Sequence, residues 1–244
     1  MSGTSTSARD GKEPAELEWH DGDMPYSPAF GDYFYSRADG RAECAHVFIA
    51  GNDLPARFAA GGFVTIAETG FGTGLNFAES WRQWKQLAPA GAKLFFVSFE
   101  KYPMPRAAID RALSVWPEID VERAALTAAW PDDASAGAVL DFGNVRLEVV
   151  TGDALASITV WNGRADAWFL DGFAPSRNPD MWSLELMQAI AARTAPGGSF
   201  ATYTSAGWVR RNLSAAGFVV EKCSGHAGKR EMCRGRLLAE GVEA

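Results

Sequence analysis

Glycines at positions 70, 72 and 74 stand at every second residue of Glu68-Thr69-Gly70-Phe71-Gly72-Thr73-Gly74-Leu75-Asn76, directly after the apolar run Phe63-Val64-Thr65-Ile66-Ala67. Without side chains at those positions the backbone turns tightly from strand to helix and lets a bulky ligand come close, which is the chemistry of a cofactor loop. A G-x-G-x-x-G cradle for a pyrophosphate needs its third glycine at position 75, where the chain has Leu75, so a dinucleotide is disfavoured. Carboxylates recur at the ends of the strand-like runs: Glu68, Glu100, Asp153 and Asp171, with Tyr203 at a fifth. Each alone reads equally well as a helix cap or turn residue. Their joint recurrence points to one ligand site along a sheet edge.

The elements that must position these groups alternate between strand and helix, which predicts an α/β fold with a parallel sheet and helices on both faces. Strands are expected at Phe63 to Ala67, Lys93 to Phe99, Ala167 to Leu170 and Ser199 to Tyr203. A hairpin of 139–142 with 145–150, turning at Gly143-Asn144, supplies a further strand ending at Gly152-Asp153. Helices are expected at Asn76 to Leu87, Pro105 to Val115, Ile119 to Trp130, Leu184 to Ala192 and Ala206 to Ala216. Two last strands, Phe218 to Lys222 and Glu231 to Leu238, close the sheet. Ligands of open α/β sheets bind beyond the carboxyl ends of the strands, so the carboxylates fall where a ligand is expected.

Length and composition support a single core. The chain has 244 residues, of which 47% are hydrophobic. Residues 1–18, polar and rich in Ser, Thr and Gly, read as a disordered leader, 19–60 as an N-terminal extension of short strands and turns, and 61–244 as the main domain. No apolar run approaches the roughly 20 residues of a membrane span and no signal-peptide core is present, which predicts a cytoplasmic protein. Cys44, Cys223 and Cys233 are too few for a disulfide framework and lack metal-site spacing, so no metal is expected; Cys223 and Cys233 are expected to face each other across adjacent strands. A net charge of −7 argues against a general nucleic-acid coat. Lys222, Lys229, Arg230, Arg234 and Arg236 nonetheless cluster near the end, with Arg210 and Arg211 upstream.

G-x-G-x-G after an acidic strand end resembles the S-adenosylmethionine loop of Rossmann-like methyltransferases. For that ligand, Glu100 is placed to accept ribose hydroxyls, Asp153 to accept from the adenine amino group, and the 70–74 loop to pass under the amino-acid tail. Asp171 then stands where the transferred methyl points. An amine attacks only through its neutral lone pair, and a carboxylate beside it can take the proton. The turn Gly172-Phe173-Ala174-Pro175 can limit water and hold a planar group against Phe173, and Trp182 lies close enough in sequence to line the pocket.

Three longer runs are more specific: ETGFGTGLNF over 68–77, FLDGFAPSRNPDMW over 169–182, and GKREM over 228–232. With Phe30 to Ser36, Val47-Phe48, Asn52-Asp53-Leu54 and Arg57-Phe58, they closely resemble the methyltransferase module of the bifunctional tRNA 5-methylaminomethyl-2-thiouridine biosynthesis proteins, MnmC, over nearly all of Trp19 to Leu238. The resemblance implies methylation of the aminomethyl group of a wobble uridine in tRNA, with S-adenosyl-L-methionine as donor. It puts Glu68, Gly70, Gly72, Gly74, Asn76, Glu100, Gly152 and Asp153 on the cofactor, Asp171 beside the acceptor amine, and Phe173, Pro175 and Asn178 on the substrate side. The full proteins continue into a flavin-dependent oxidase, so the chain reads as a stand-alone, MnmD-like enzyme or as the first module alone, with that oxidase acting upstream. The basic residues Lys229, Arg230, Arg234 and Arg236, with Arg177, then supply a local phosphate footing. Three rivals stay open on the residues: a methyltransferase or aminopropyltransferase for a small amine, a non-catalytic nucleotide-binding or RNA-binding module, and a nicotinamide oxidoreductase, which Leu75 disfavours.

Overall fold

A computed structural model describes residues 17–228 and 230–237. A small antiparallel sheet comes first, from β1 (Glu18–His20), β2 (Met24–Ser27) and β3 (Asp32–Tyr33). The large sheet has eight strands: β4 (Phe63–Thr69), β5 (Lys93–Glu100), β6 (Ala138–Asp141), β7 (Val145–Thr151), β8 (Ala165–Phe169), β9 (Thr194–Thr202), β10 (Phe218–Ser224) and β11 (Glu231–Leu237). Their spatial order is β10-β11-β9-β8-β4-β5-β7-β6. The five central strands, β9 to β7 in that order, run parallel, while β6 and β11 run antiparallel to their neighbours.

Strands β4, β5 and β8 are largely apolar and buried because both of their faces are covered. One face buries Phe77, Trp81 and Trp84 of α3 (Leu75–Leu87), Ile109 of α4 (Arg106–Leu113) and Leu126 of α5 (Asp120–Ala129); the other buries Ile158 of α6 (Ala154–Val160), Ile190 of α7 (Leu184–Ala192) and Leu213 of α8 (Gly207–Ala215). From β4 the chain steps to β5 on one side, and only later to β8 on the other. That divergence opens a crevice between the carboxyl ends of β4 and β8. Among the described residues no helix is long and apolar enough to cross a membrane.

The N-terminal extension departs from the expected run of short strands and turns. After β3 it is helical: α1 (Gly40–Glu43), a π-helical segment (Cys44–Ala50) and α2 (Leu54–Ala60). The Asp39 side chain starts this stretch by accepting from Ala42 N–H, and Cys44, Val47, Phe48 and Ile49 then turn inward onto the sheet. Helix α6 is also additional to the expected elements. Asp153 caps it through Ala156 N–H at 3.2 Å, but its β-branched end, Ile158-Thr159-Val160, carries little helical propensity. The two C-terminal cysteines do not face each other. Cys223 registers with Met232 and Lys222 with Cys233, so one sulfur points to each layer.

Asn52, only 1% exposed, ties the extension to the sheet. Its amide nitrogen donates to Phe48 O at 3.0 Å and to Trp168 O at 3.2 Å, while its oxygen accepts from Ser199 Oγ at 2.7 Å. Arg57 adds a bond from Nη1 to Asp166 O at 2.6 Å. Asn52→Leu leaves two carbonyls and a hydroxyl without these partners in a dry site. It is expected to lower the unfolding free energy by about 3 kcal/mol in urea denaturation, with the slope of the transition unchanged.

Candidate functional site

The loop after β4 occupies the crevice. Gly70 N–H donates to Phe99 O at 2.9 Å, which pins the loop to the end of β5. Gly70 and Gly72 take φ values of 88° and 53°, a region that side-chain-bearing residues adopt at a cost. A Cβ built on Gly70 would meet nothing nearer than Gly172 Cα at 3.9 Å, so the space beside the loop is open. Glu100 braces the loop from the next strand: its two oxygens accept from Gly72 N–H at 3.0 Å and Tyr102 N–H at 2.7 Å. Each oxygen keeps a further lone pair for a ligand hydroxyl.

Asn76, in the first turn of α3, joins the loop to the end of β8. Its amide nitrogen donates to Glu68 Oε1 at 2.8 Å and to Asp171 Oδ2 at 2.7 Å. The other Glu68 oxygen accepts from Ser98 Oγ at 2.7 Å. Burial pushes the Glu68 carboxyl well above the usual carboxylate range; Asp171 pushes the same way, against the hydrogen bonds from Ser98 and Asn76. Two carboxylates sharing one amide in a buried wall repel, which favours the neutral form of the more buried one. Asp171 lines the cavity, and its second oxygen, Oδ1, accepts from Gly172 N–H at 2.8 Å.

Four further hydrogen bonds and two ring contacts hold the Asp171 loop. The Thr69 hydroxyl donates to Asp171 O at 2.8 Å and accepts from Asp171 N–H at 3.1 Å. The Tyr203 hydroxyl donates to Gly172 O at 2.8 Å, and its pKa is raised well above the ordinary value chiefly by burial. From the extension, Asp32 Oδ2 accepts from Ala174 N–H at 3.0 Å. Phe30 stacks on Phe173 at 4.5 Å between centroids and Phe34 meets it edge-on at 5.1 Å.

A cavity of about 1500 Å³ opens over these groups. Of the residues expected at a site, Gly70, Gly72, Asn76, Glu100, Gly152, Asp153, Asp171, Phe173 and Asn178 line it. Glu68 and Gly74 do not. Glu68 is 1% exposed and spends both oxygens inside the wall, and Gly74 is packed so that a Cβ there would lie 2.8 Å from Phe71. Pro175 and Arg177 also lie off the lining, and Trp182 stands behind it, fully buried, donating from Nε1 to Phe173 O at 3.2 Å.

The C-terminal basic cluster does not hold together as one face. Lys222 pairs with Glu231 at 2.6 Å and Arg234 pairs with Glu221, while Arg236 registers with Ser199, three residues toward the amino end of β9 from the Cys233–Thr202 pair. Arg230 is exposed on the turn before β11, at the carboxyl edge of the sheet, and Lys229 lies outside the described residues. Asp32, Phe30, Phe34, Thr69 and Ser98 are additions that sequence reasoning missed. Asp32 and the two phenylalanines sit in a stretch whose aromatic density was legible, but whose contact with Ala174 depends on how the extension folds back.

Three comparisons bear on this site. A sequence model of a family described as S-adenosyl-L-methionine-dependent methyltransferase matches residues 117–237. The chain is 48% identical over 234 residues to a tRNA 5-methylaminomethyl-2-thiouridine biosynthesis bifunctional protein MnmC of Chromohalobacter salexigens, covering 93% of this chain and 33% of the relative. A relative of the same description in Chromobacterium violaceum is 48% identical over 231 residues, covering 91% and 34%. The chain thus spans about a third of the length of these relatives. Among solved structures, MNMC2 from Aquifex aeolicus superposes with a TM-score of 0.73 at 23% identity, over 96% of this chain and 74% of that one, and so shares the fold.

The raised affinity of Glu68 for its proton has a measurable consequence. The folded chain holds that proton where the unfolded chain, with an ordinary value near 4.5, has released it. The stability tied to Glu68 is therefore fully present below that ordinary value and declines as pH rises toward the raised one. Glu68→Gln keeps the shape without the titration. Its melting temperature, followed by scanning calorimetry, is expected to gain on that of the wild type as pH rises above about 4.5; a difference that stays constant with pH overturns the raised value.

Proposed function

Because this chain is an S-adenosyl-L-methionine-dependent methyltransferase, we propose that its acceptor is the primary amine of 5-aminomethyl-(2-thio)uridine at the wobble position of tRNA. The relatives' role in tRNA 5-methylaminomethyl-2-thiouridine biosynthesis supports that acceptor, and one observation carries it to this chain's own residues. Asp171 lies at the crevice with both oxygens held by N–H donors, next to a phenyl wall suited to a planar base.

The residues present fit the cofactor. The open backbone at Gly70 and Gly72 would receive the amino-acid tail, Glu100 would accept from the ribose hydroxyls, and Asp153, beside Gly152, would accept from the adenine amine. When bound, the cofactor supplies a methyl group already activated on a sulfonium. Asp171 takes a proton from the acceptor ammonium, which frees the nitrogen lone pair and aims it into the cavity. Asn76 and Gly172 N–H keep the carboxylate from swinging away while it holds that proton. Phe173, with Phe30 and Phe34, limits water on the acceptor side, and Asn178 borders the same space.

The relatives are bifunctional and this chain spans about a third of them, so the aminomethyl substrate would come from an oxidase acting separately or elsewhere in a longer chain. Such a task belongs in the cytoplasm, where tRNA matures. Nucleoside mass spectrometry of aminomethyl-bearing tRNA, after incubation with the protein and S-adenosyl-L-methionine, should show one methyl gained on the wobble uridine. Methylation of polyamines in place of tRNA overturns the proposal. Asp171→Asn is expected to reduce turnover by roughly 10²- to 10⁴-fold while cofactor affinity, read by calorimetry, stays within a few-fold.

A further inference from the structure

We infer that residues 30–37 of the N-terminal extension form, with Phe173 and Arg177, a surface for single-stranded RNA: bases lie on the phenyl rings and flanking phosphates on Arg37 and Arg177. This rests on the tRNA reading and names the surface that reading requires.

Phe30, Phe34 and Phe173 are half-buried and line the cavity that Asp171 enters. Phe30 and Phe173 are stacked within 20° of parallel, with Phe34 at their edge. Apolar rings left partly open beside a reactive carboxylate mark a binding wall, and stacking on such rings accepts any base. Two exposed cations flank them. Arg37 lies over the Tyr33 ring at 5.2 Å, and the Arg177 guanidinium runs so close under Gly31 that a Cβ there would lie 2.9 Å from Nη1. Among the described residues neither arginine makes an ion pair with a carboxylate. The nearby Asp32 is spent on Tyr33 N–H and Ala174 N–H.

The contrast with the C-terminal hairpin decides where the phosphates go. There Lys222 and Arg234 are each matched by a cross-strand glutamate, and partnered surface charges offer little to an incoming anion. In a protein of net charge −7, two cations bracketing an aromatic wall form a local footing on an otherwise repelling body. A small cationic amine would gain nothing from arginines at the mouth, whereas a flipped nucleotide needs both stacking and phosphate contacts.

The test is binding of a fluorescently labelled anticodon stem-loop, followed by anisotropy against salt, with S-adenosyl-L-methionine affinity measured in parallel. The double variant Arg37→Gln/Arg177→Gln should weaken RNA binding by more than about tenfold and lower the salt slope by roughly 1.4, two contacts of about 0.7 each. Phe30→Ala should weaken it about tenfold and Phe30→Tyr, which keeps a ring, should restore it. Cofactor affinity should be unchanged throughout, and Arg234→Gln should bind RNA as the wild type does. If the wild type methylates tRNA but the double variant and Phe30→Ala bind RNA undiminished, the surface lies elsewhere and the proposed acceptor stands. If the wild type neither binds nor methylates RNA, surface and acceptor both fall.

Discussion

One side-chain amide holds the centre of this molecule together. Asn76 sits on α3 but bonds the end of β4 through Glu68 and the end of β8 through Asp171, so it bridges the two strands at which the sheet divides. Ser98 brings β5 into the same cluster. A carboxyl buried as deeply as Glu68 is tolerable only when its oxygens are partnered, and the partners here fix the loop that faces the cavity. Pre-organisation of Asp171 follows from the same bonds. The Asp171 carboxylate is aimed by a group that is itself anchored in the core.

The extension completes what the sheet alone leaves open. A parallel sheet presents a crevice, but nothing in that architecture closes it from above. Residues 30–34 cover the acceptor side through Asp32 and the phenyl contacts, while Asn52 and Arg57 bind the following helices to β8 and β9. The cofactor side and the acceptor side proposed above would therefore be built from different parts of the chain. Glycines and strand-end carboxylates form the first; an aromatic segment folded back onto the Asp171 loop forms much of the second.

The strands and the glycine loop were legible because their causes are local. Runs such as Leu94 to Phe99 are apolar at nearly every position, which only a doubly covered strand explains, and each cofactor-loop glycine adopts a positive φ. What stayed hidden depends on register or on distant contact. Cys44 to Ile49 reads as aromatic loop text until packing makes it helical. The basic cluster looks continuous in sequence, yet cross-strand pairing neutralises Lys222 and Arg234 and carries Arg236 toward the other end of the sheet. Glu68 reads as a ligand because it ends a strand, and only side-chain geometry turns it inward.

Strand β11 is made after β10, yet it lies between β10 and β9. During synthesis β9 must therefore wait with an open edge while β10 has no place beside it. β10 and β11 form a hairpin, with Ser224 opposite Glu231, so the outer part of the sheet joins the β9 rim only through the second strand of that hairpin. A nascent chain paused after β10 would leave the β9 edge unpaired, where other chains could capture it.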